Sequence, residues 1–239
     1  MGPDVHGREV GPSGAAPRGW RERWDPVLAA IVFALFARTF LFQGFEVPSP
    51  SMEKNVLTGD RLLVNKFVFA PEVAPLLAAV LPGRAVRRGD VVVFRFPGDP
   101  RRDFIKRVVG LPGETVAIRD KRVFVDGRLL DEPYAFHADD TVWPDDPSIA
   151  PEHRRRDQLP PQRVPGGAYF VLGDNRDDSS DSRSWGFVPA GHVEGRALFV
   201  YWSFLPRASG APSGPAALAR LPIDVIRRTR WDRLFRPVR

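Results

Sequence analysis

Apolar positions along the chain fall into two regimes. From Pro26 to Phe42 they form an almost unbroken run, PVLAAIVFALFARTFLF, with Arg38 its only charge. The run is apolar on every side, which predicts a helix bound for lipid rather than an amphipathic helix on a soluble core. Its length stands at the short end of the range for a membrane span. Trp24 and Phe45 frame it as interfacial anchors, and Arg38 sits late enough to snorkel to the far headgroups. Residues 25–44 are therefore expected to be a transmembrane anchor. Residues 1–24, poor in large aliphatics and rich in Gly, Pro and Arg, are expected to be a mobile tail. The run ends on Thr39, Phe40, Leu41, Phe42 and Gln43, with no small-residue cleavage site, which argues against a removed secretory signal.

After the anchor the pattern becomes short apolar segments between turn signals. Arg61–Phe67, Val91–Phe96, Asp103–Val109, Thr115–Ile118, Arg122–Val125, Ala168–Leu172 and Ala197–Phe204 are rich in Val, Ile and aromatics and bounded by Gly, Pro or Asp. No helical pattern recurs between them, so a mainly β, antiparallel domain is expected. Asp126-Gly127 predicts a hairpin turn. The expected β domain comprises residues 45–116 and 166–205. Residues 117–165 are read as an inserted hairpin and surface excursion. Its part from 131 to 165 holds seven prolines and the run Arg154-Arg155-Arg156, read as a solvated face. Val73–Leu81 is too short to span a membrane and reads as a buried strand or an apolar loop in the lipid interface. Residues 206–239 form a basic carboxy-terminal segment. From Leu221 onward it reads as a helix packed on the β domain or an amphipathic stretch lying on a membrane.

Composition narrows the chemistry. The 239 residues hold no cysteine, which excludes a thiol nucleophile, a disulfide framework and thiolate metal sites. With 21 glycines and 25 prolines the chain suits a turn-rich β fold better than a helix bundle. The net charge of +6 comes from dispersed arginines, without a basic helix, so a membrane surface accounts for it without nucleic acid. Any reaction that needs a lysine must use Lys54, Lys66, Lys106 or Lys121.

Three polar stretches carry candidate chemistry. Ser49 and Ser51 lie two apart in the proline-stiffened Val47-Pro48-Ser49-Pro50-Ser51-Met52; serine becomes a nucleophile only beside a base. Alone, such a turn is ordinary linker sequence. Lys106 alternates on a strand with Phe104 and Val108; an ammonium on an apolar face loses hydration, which favours the neutral amine and a basic role. An arbitrary strand lysine would instead snorkel to water. Gly173-Asp174-Asn175-Arg176-Asp177-Asp178-Ser179-Ser180-Asp181-Ser182-Arg183 alternates acids, arginines and hydroxyls in the manner of a satisfied buried turn. It lacks the order of a calcium loop, so no metal is expected.

Together, and in this order after an amino-terminal apolar run, these stretches resemble bacterial type I signal peptidases. The resemblance covers most of Phe42 to Phe204. It is carried by PSPSM at 48–52, GDRLLVNKF at 59–67, RGDVVVF at 88–94, IKRVVGLPGE at 105–114 and GDNRDDSSDSR at 173–183, followed by Trp185-Gly186-Phe187-Val188-Pro189. Lys54 and Asn55 depart from the family's usual Pro and Thr, and the 131–165 excursion matches no motif. The resemblance implies the mainly β fold of the signal-peptidase clan and a serine endopeptidase. Ser51 would be its nucleophile and Lys106 its general base. Ser49 and the Ser51 N–H would hold the oxyanion, and Ser179 would orient the lysine. Arg107, Asp174, Asp181 and Arg183 would brace the site. Val47, Pro48, Met52, Val56, Phe104 and Ile105 would line shallow pockets for small residues at −1 and −3. The implied partners are signal peptides of exported preproteins and the lipid bilayer; no cofactor and no nucleic acid are implied. The implied location is the bacterial cytoplasmic membrane, the four arginines Arg8, Arg18, Arg21 and Arg23 keeping the amino terminus inside.

Other readings use the same residues. Ser51-Met52-Glu53-Lys54 fits S-x-x-K, the opening signature of penicillin-binding proteins, but no K-T-G follows. Self-cleaving repressor proteases of the same clan are soluble and lack an anchor. A binding-only, inactive membrane-anchored homologue is the non-enzymatic alternative.

Overall fold

A computed structural model describes residues 20–36, 41–69, 83–205 and 225–239. The Gly-rich tail before Trp20, Arg38, the Val73–Leu81 stretch and residues 206–224 lie outside the described residues. The chain divides into two compact units, residues 1–38 and residues 39–239.

The first unit contains helix α1, Trp20–Phe36. It begins earlier than the mobile tail was expected to end, because Arg21, Glu22 and Arg23 are good helix formers. Val27, Leu28, Ile31, Val32 and Phe33 are exposed on it. Among the described residues no helix is long and apolar enough to cross a membrane.

The second unit is built on a seven-stranded antiparallel sheet, in the order β1-β2-β11-β3-β4-β9-β10. The strands are β1 Phe42–Glu46, β2 Asp60–Asn65, β3 Val91–Phe96, β4 Asp99–Gly110, β9 Ala168–Leu172, β10 Val188–Pro189 and β11 Val193–Ser203. β1 corrects the sequence reading. Phe42, Gln43 and Gly44, assigned to the end of the anchor, pair instead with Asn65, Val64 and Leu63. Phe45 is correspondingly a core residue, not an interfacial anchor. Its apolar side chain finds partners in the sheet, a contact that hydropathy alone does not reveal.

A second, four-stranded sheet runs β7-β6-β5-β8, with β5 Thr115–Arg119, β6 Arg122–Val125, β7 Arg128–Leu129 and β8 Leu159–Arg163. The Asp126-Gly127 turn joins β6 to β7 with both residues at positive φ, 48° and 76°, the geometry that favours an Asx-Gly pair. β8 belongs to the stretch read as an irregular excursion. Its Pro160 and Pro161 obscure a strand in the sequence, yet β8 occupies the sheet edge, where proline is tolerated. The short helix α2, Pro151–Asp157, precedes it. The arginine run on α2 is only partly a solvated face: Arg155 is exposed, but Arg156 pairs with Asp157, Asp139 and Asp177.

The large sheet is buried on both faces at β3 and β9. Val91 and Val93 of β3 join one core cluster, while Val92 and Phe94 join another. That explains why β3 reads as a continuous apolar run rather than an alternating one. On β9, Phe170 and Leu172 pack toward the second sheet, while Tyr169 and Val171 face the other way. Beyond β11 the carboxy-terminal residues 225–239 run back along that strand, with Phe235 N–H bonded to Val200 O and Val238 N–H to Leu198 O. Among the described residues this segment forms a strap with one helical turn at residues 225–228 and a 3-10 turn at Trp231–Arg233, rather than one helix continuing to Arg239.

Candidate active site

β4 is longer than its partner β9, which pairs only from Arg107 onward, with Leu172 opposite. The preceding residues of β4 therefore border an open cleft. Across it lies the turn that follows β1. Pro50–Met52 form a single 3-10 turn with Pro50 leading, a position where proline's missing N–H costs nothing. Val47 N–H to Asp60 O and Gly59 N–H to Val47 O close the loop behind it.

These two elements bring Ser51 and Lys106 together. Lys106 Nζ donates to Ser51 Oγ at 2.7 Å and to Ile105 O at 3.0 Å. Lys106 is 4% exposed. Burial lowers its pKa from 10.5 to about 8, and Asp181 and Asp174 only partly restore it. The amine is thus neutral over part of the ordinary working range. Ser49 Oγ donates to Ser51 Oγ at 3.3 Å, which puts three of the sequence-predicted groups in one contact network.

The 173–183 loop braces this pair. Asp174 takes two bonds from Arg107, at 2.7 and 2.6 Å, in a fully buried bidentate pair. Asn175 N–H donates to Ser51 O at 3.1 Å and so fixes the nucleophile's own backbone. Asp181 accepts from Arg183 Nε and Nη2, both at 2.8 Å, and from Gly173 N–H at 3.1 Å. Burial pushes the Asp181 carboxyl up, but the Arg183 guanidinium and these donors outweigh it and hold the pKa below the ordinary value. Arg183 also donates to Arg176 O and Arg156 O, which ties the loop to α2.

Ser179 departs from its expected role. Lys106 has Ser51 and Ile105 as its partners, and Ser179 Oγ is buried without a hydrogen bond of ordinary geometry. It packs instead over Gly173. A Cβ there would lie 2.3 Å from Ser179 Oγ and 2.5 Å from Ser51 O. Only glycine lets the loop approach the nucleophile so closely.

The cleft measures about 360 Å³ and is lined by Phe45, Pro48, Ser49, Pro50, Ser51, Arg102, Asp103, Phe104, Ile105, Lys106, Asp178 and Ser180. Of the expected pocket residues, Pro48, Phe104 and Ile105 reach it. Val47, Met52 and Val56 do not; they are buried beneath the turn with Leu62 and Val64. Their apolar side chains satisfy the core, so closeness in sequence to Ser51 did not mean closeness to the cleft. Phe45, Arg102, Asp103, Asp178 and Ser180 were missed as cleft residues. Only Asp178 and Ser180 carried a sequence signal, through the loop motif.

A family model described as signal peptidase, peptidase S26, matches residues 20–202. The chain belongs to this family. It is a peptidase. A signal peptidase I of Pseudomonas aeruginosa is 36% identical over 212 residues, covering 79% of this chain and 74% of that one. A signal peptidase I of Bacillus caldolyticus is 34% identical over 182 residues, covering 76% and 91%. A solved signal peptidase I from Enterococcus faecalis is 35% identical, covers 47% of this chain and 97% of that one, and superposes with a TM-score of 0.36. In this chain the Ser51–Lys106 contact lies where the three polar stretches of the sequence meet.

Proposed function

We propose that the protein removes signal peptides from exported preproteins with Ser51 as nucleophile and Lys106 as general base. The observation that carries this is the 2.7 Å contact between a buried amine of lowered pKa and a buried hydroxyl at the edge of a cleft. When neutral, Lys106 takes the Ser51 proton as Oγ attacks the scissile carbonyl. The oxyanion forms beside the Ser51 N–H and the Ser49 hydroxyl, donors in place before charge develops. Collapse of the tetrahedral intermediate breaks the peptide bond, and Lys106 returns its proton to the leaving amine. A water then gives its proton to Lys106 and hydrolyses the ester. With Oγ engaged in that ester, the Ser179 hydroxyl behind Gly173 serves to steady the amine. Arg107, Asp174, Asp181 and Arg183 hold the frame.

An extended leader adds as a strand along the unpaired part of β4. Pro48, Phe104 and Ile105 leave room for only small side chains at −1 and −3. The catalytic unit works on the outer face of the bacterial cytoplasmic membrane, held by the apolar segment around α1, with the arginines before it inside. Residues 45–116 and 166–205 are read as the catalytic domain, with 117–165 inserted into it.

The deciding experiment uses the purified full chain and a leader-bearing preprotein, with the product's new amino terminus sequenced. Wild type should yield one mature terminus after a small residue, and Ser51→Ala should yield none. Undiminished cleavage by Ser51→Ala would falsify the assignment.

A further inference from the structure

The nucleophile turn is held from beneath by residues far along the chain. Asp60, which opens β2 at the end of the turn, is fully buried. Its carboxylate accepts from Arg233 Nη2 at 2.6 Å and Nε at 3.0 Å, from Ser203 Oγ at 2.6 Å and from the Leu57 N–H at 2.8 Å. Arg233 Nη2 also donates to Asn55 O at 3.1 Å, and Arg230 Nη2 to Thr58 O at 2.7 Å. Val238 enters the core cluster that contains Met52 and Val56. The Arg239 carbonyl oxygen accepts from Asn55 Nδ2 and, at 2.7 Å, from Arg107 Nη2. Arg107 follows Lys106 directly on β4. The same ten residues therefore touch the serine side of the site and the lysine side.

We propose that the strap 230–239 is a positioning device: by gripping Asp60, Thr58 and Asn55 on one side and Arg107 on the other, it sets the Ser51–Lys106 distance. This rests on the Ser51–Lys106 reading above. A buried arginine–aspartate pair is a poor way to gain stability, since desolvation offsets most of its attraction. What such a pair supplies is direction. Arg233 bonds simultaneously to a side chain and to the backbone of the turn, so a shift of the turn breaks both. Asn55 strengthens the case: its amide nitrogen donates to the Arg239 carbonyl oxygen and, at 3.4 Å, to Asp174 Oδ2, so it links the strap to the loop that braces the site.

The test measures kcat, KM and the pH profile for preprotein cleavage by the full chain, alongside the melting temperature. In Arg233→Met the loosened turn should lower kcat by about tenfold to a hundredfold, the cost of a small misplacement of reacting groups. KM should stay within about twofold, because the cleft walls are untouched. The apparent pKa should move up from about 8, since water then reaches the lysine. Arg233→Lys, which keeps the charge without the two-point grip, should fall between. Asn55→Ala alters only one half-buried side chain and should move the same readings in the same direction; it carries the test if Arg233→Met does not fold. Activity that falls only in step with the folded fraction, at an unmoved pKa, would overturn the proposal, as would no change in either variant. Ser51→Ala run in parallel separates the two ideas. If it still cuts, the mechanism itself is wrong; if it is dead while the strap variants behave as wild type, only the strap fails.

Discussion

The lysine that matters is identified by its surroundings. Lys54 lies three residues after Ser51, but its side chain is exposed, with Nζ 4.2 Å from the centre of the Phe136 ring. Lys106 lies on a distant strand, yet its amine is buried against Ser51. Lys54→Ala should keep most activity, whereas Lys106→Ala and Lys106→Arg should each abolish it, the latter because guanidinium never gives up its proton at working pH. Kinetics of the purified variants decide this, and a dead Lys54→Ala beside a live Lys106→Ala would sink the assignment. Below a pKa of about 8 the amine is protonated and cannot accept the serine proton, so kcat/KM should rise with pH and level off above that value. The same shift has a cost in stability. Between about 8 and 10.5 the unfolded chain holds the Lys106 proton and the folded chain does not, so stability rises with pH across that window and the burial penalty is complete below it. Lys106→Met should therefore be inactive but more stable at pH 7, by about 1–3 kcal/mol. Chemical denaturation at pH 7 and again near pH 10.5 checks this: the gain should shrink at the higher pH.

At the scale of elements, what was legible in the sequence was whatever local pattern controls. The strands β3, β6 and β9 read out fully because β-branched and aromatic runs end in Gly, Pro or Asp, and Lys106 was singled out by Phe104 and Val108 on the same strand. What failed to read out depends on partners far away. Arg233 reads in the sequence only as one of the arginines of a basic carboxy-terminal segment, because its partner Asp60 lies 173 positions off. Met52 and Val56 looked like pocket walls because the turn's inner face is defined only once Leu62 and Val64 pack against it. The 173–183 loop is visible as a motif, and its place beside the site follows from the resemblance rather than from any local pattern. Gly173→Ala tests its closeness to Ser51. Its new methyl must displace either Ser179 or the Ser51 carbonyl, and displacing the latter moves the nucleophile. Cleavage should fall by about a hundredfold or more, as a displacement of about 1 Å does elsewhere. Near-normal rates would mean the loop yields without moving Ser51. On the cleft wall, Ile105→Ala should admit larger −1 residues and loosen the cleavage position, with discrimination changing by about 1–3 kcal/mol. Sequencing the products of a −1 substitution series reads this out, and an unchanged spectrum would remove Ile105 from the specificity set.

For the whole molecule, the two sheets divide the work. The large sheet carries Ser51 and Lys106 on neighbouring edges of the cleft, and the small sheet sends Glu132 and Phe136 back onto the 173–183 loop: Glu132 pairs with Arg176, and Phe136 N–H donates to Asp174 O. The region read as a surface excursion thus supports the loop that braces the site. The substrate's position sets the remaining constraint. Under the proposed function, a leader still in the bilayer would present its scissile bond at the outer surface, which would require the cleft on that side and the chain held there. The segment around α1 offers apolar side chains on every turn, and four arginines precede most of it, the asymmetry that retains an amino terminus in the cytoplasm. Protease added to intact spheroplasts should therefore digest the β unit and leave an amino-terminal fragment that includes Arg8 and Arg18. Detergent should expose that fragment as well. If the β unit survives until detergent is added, the orientation is reversed and the cleft could not meet a translocated leader.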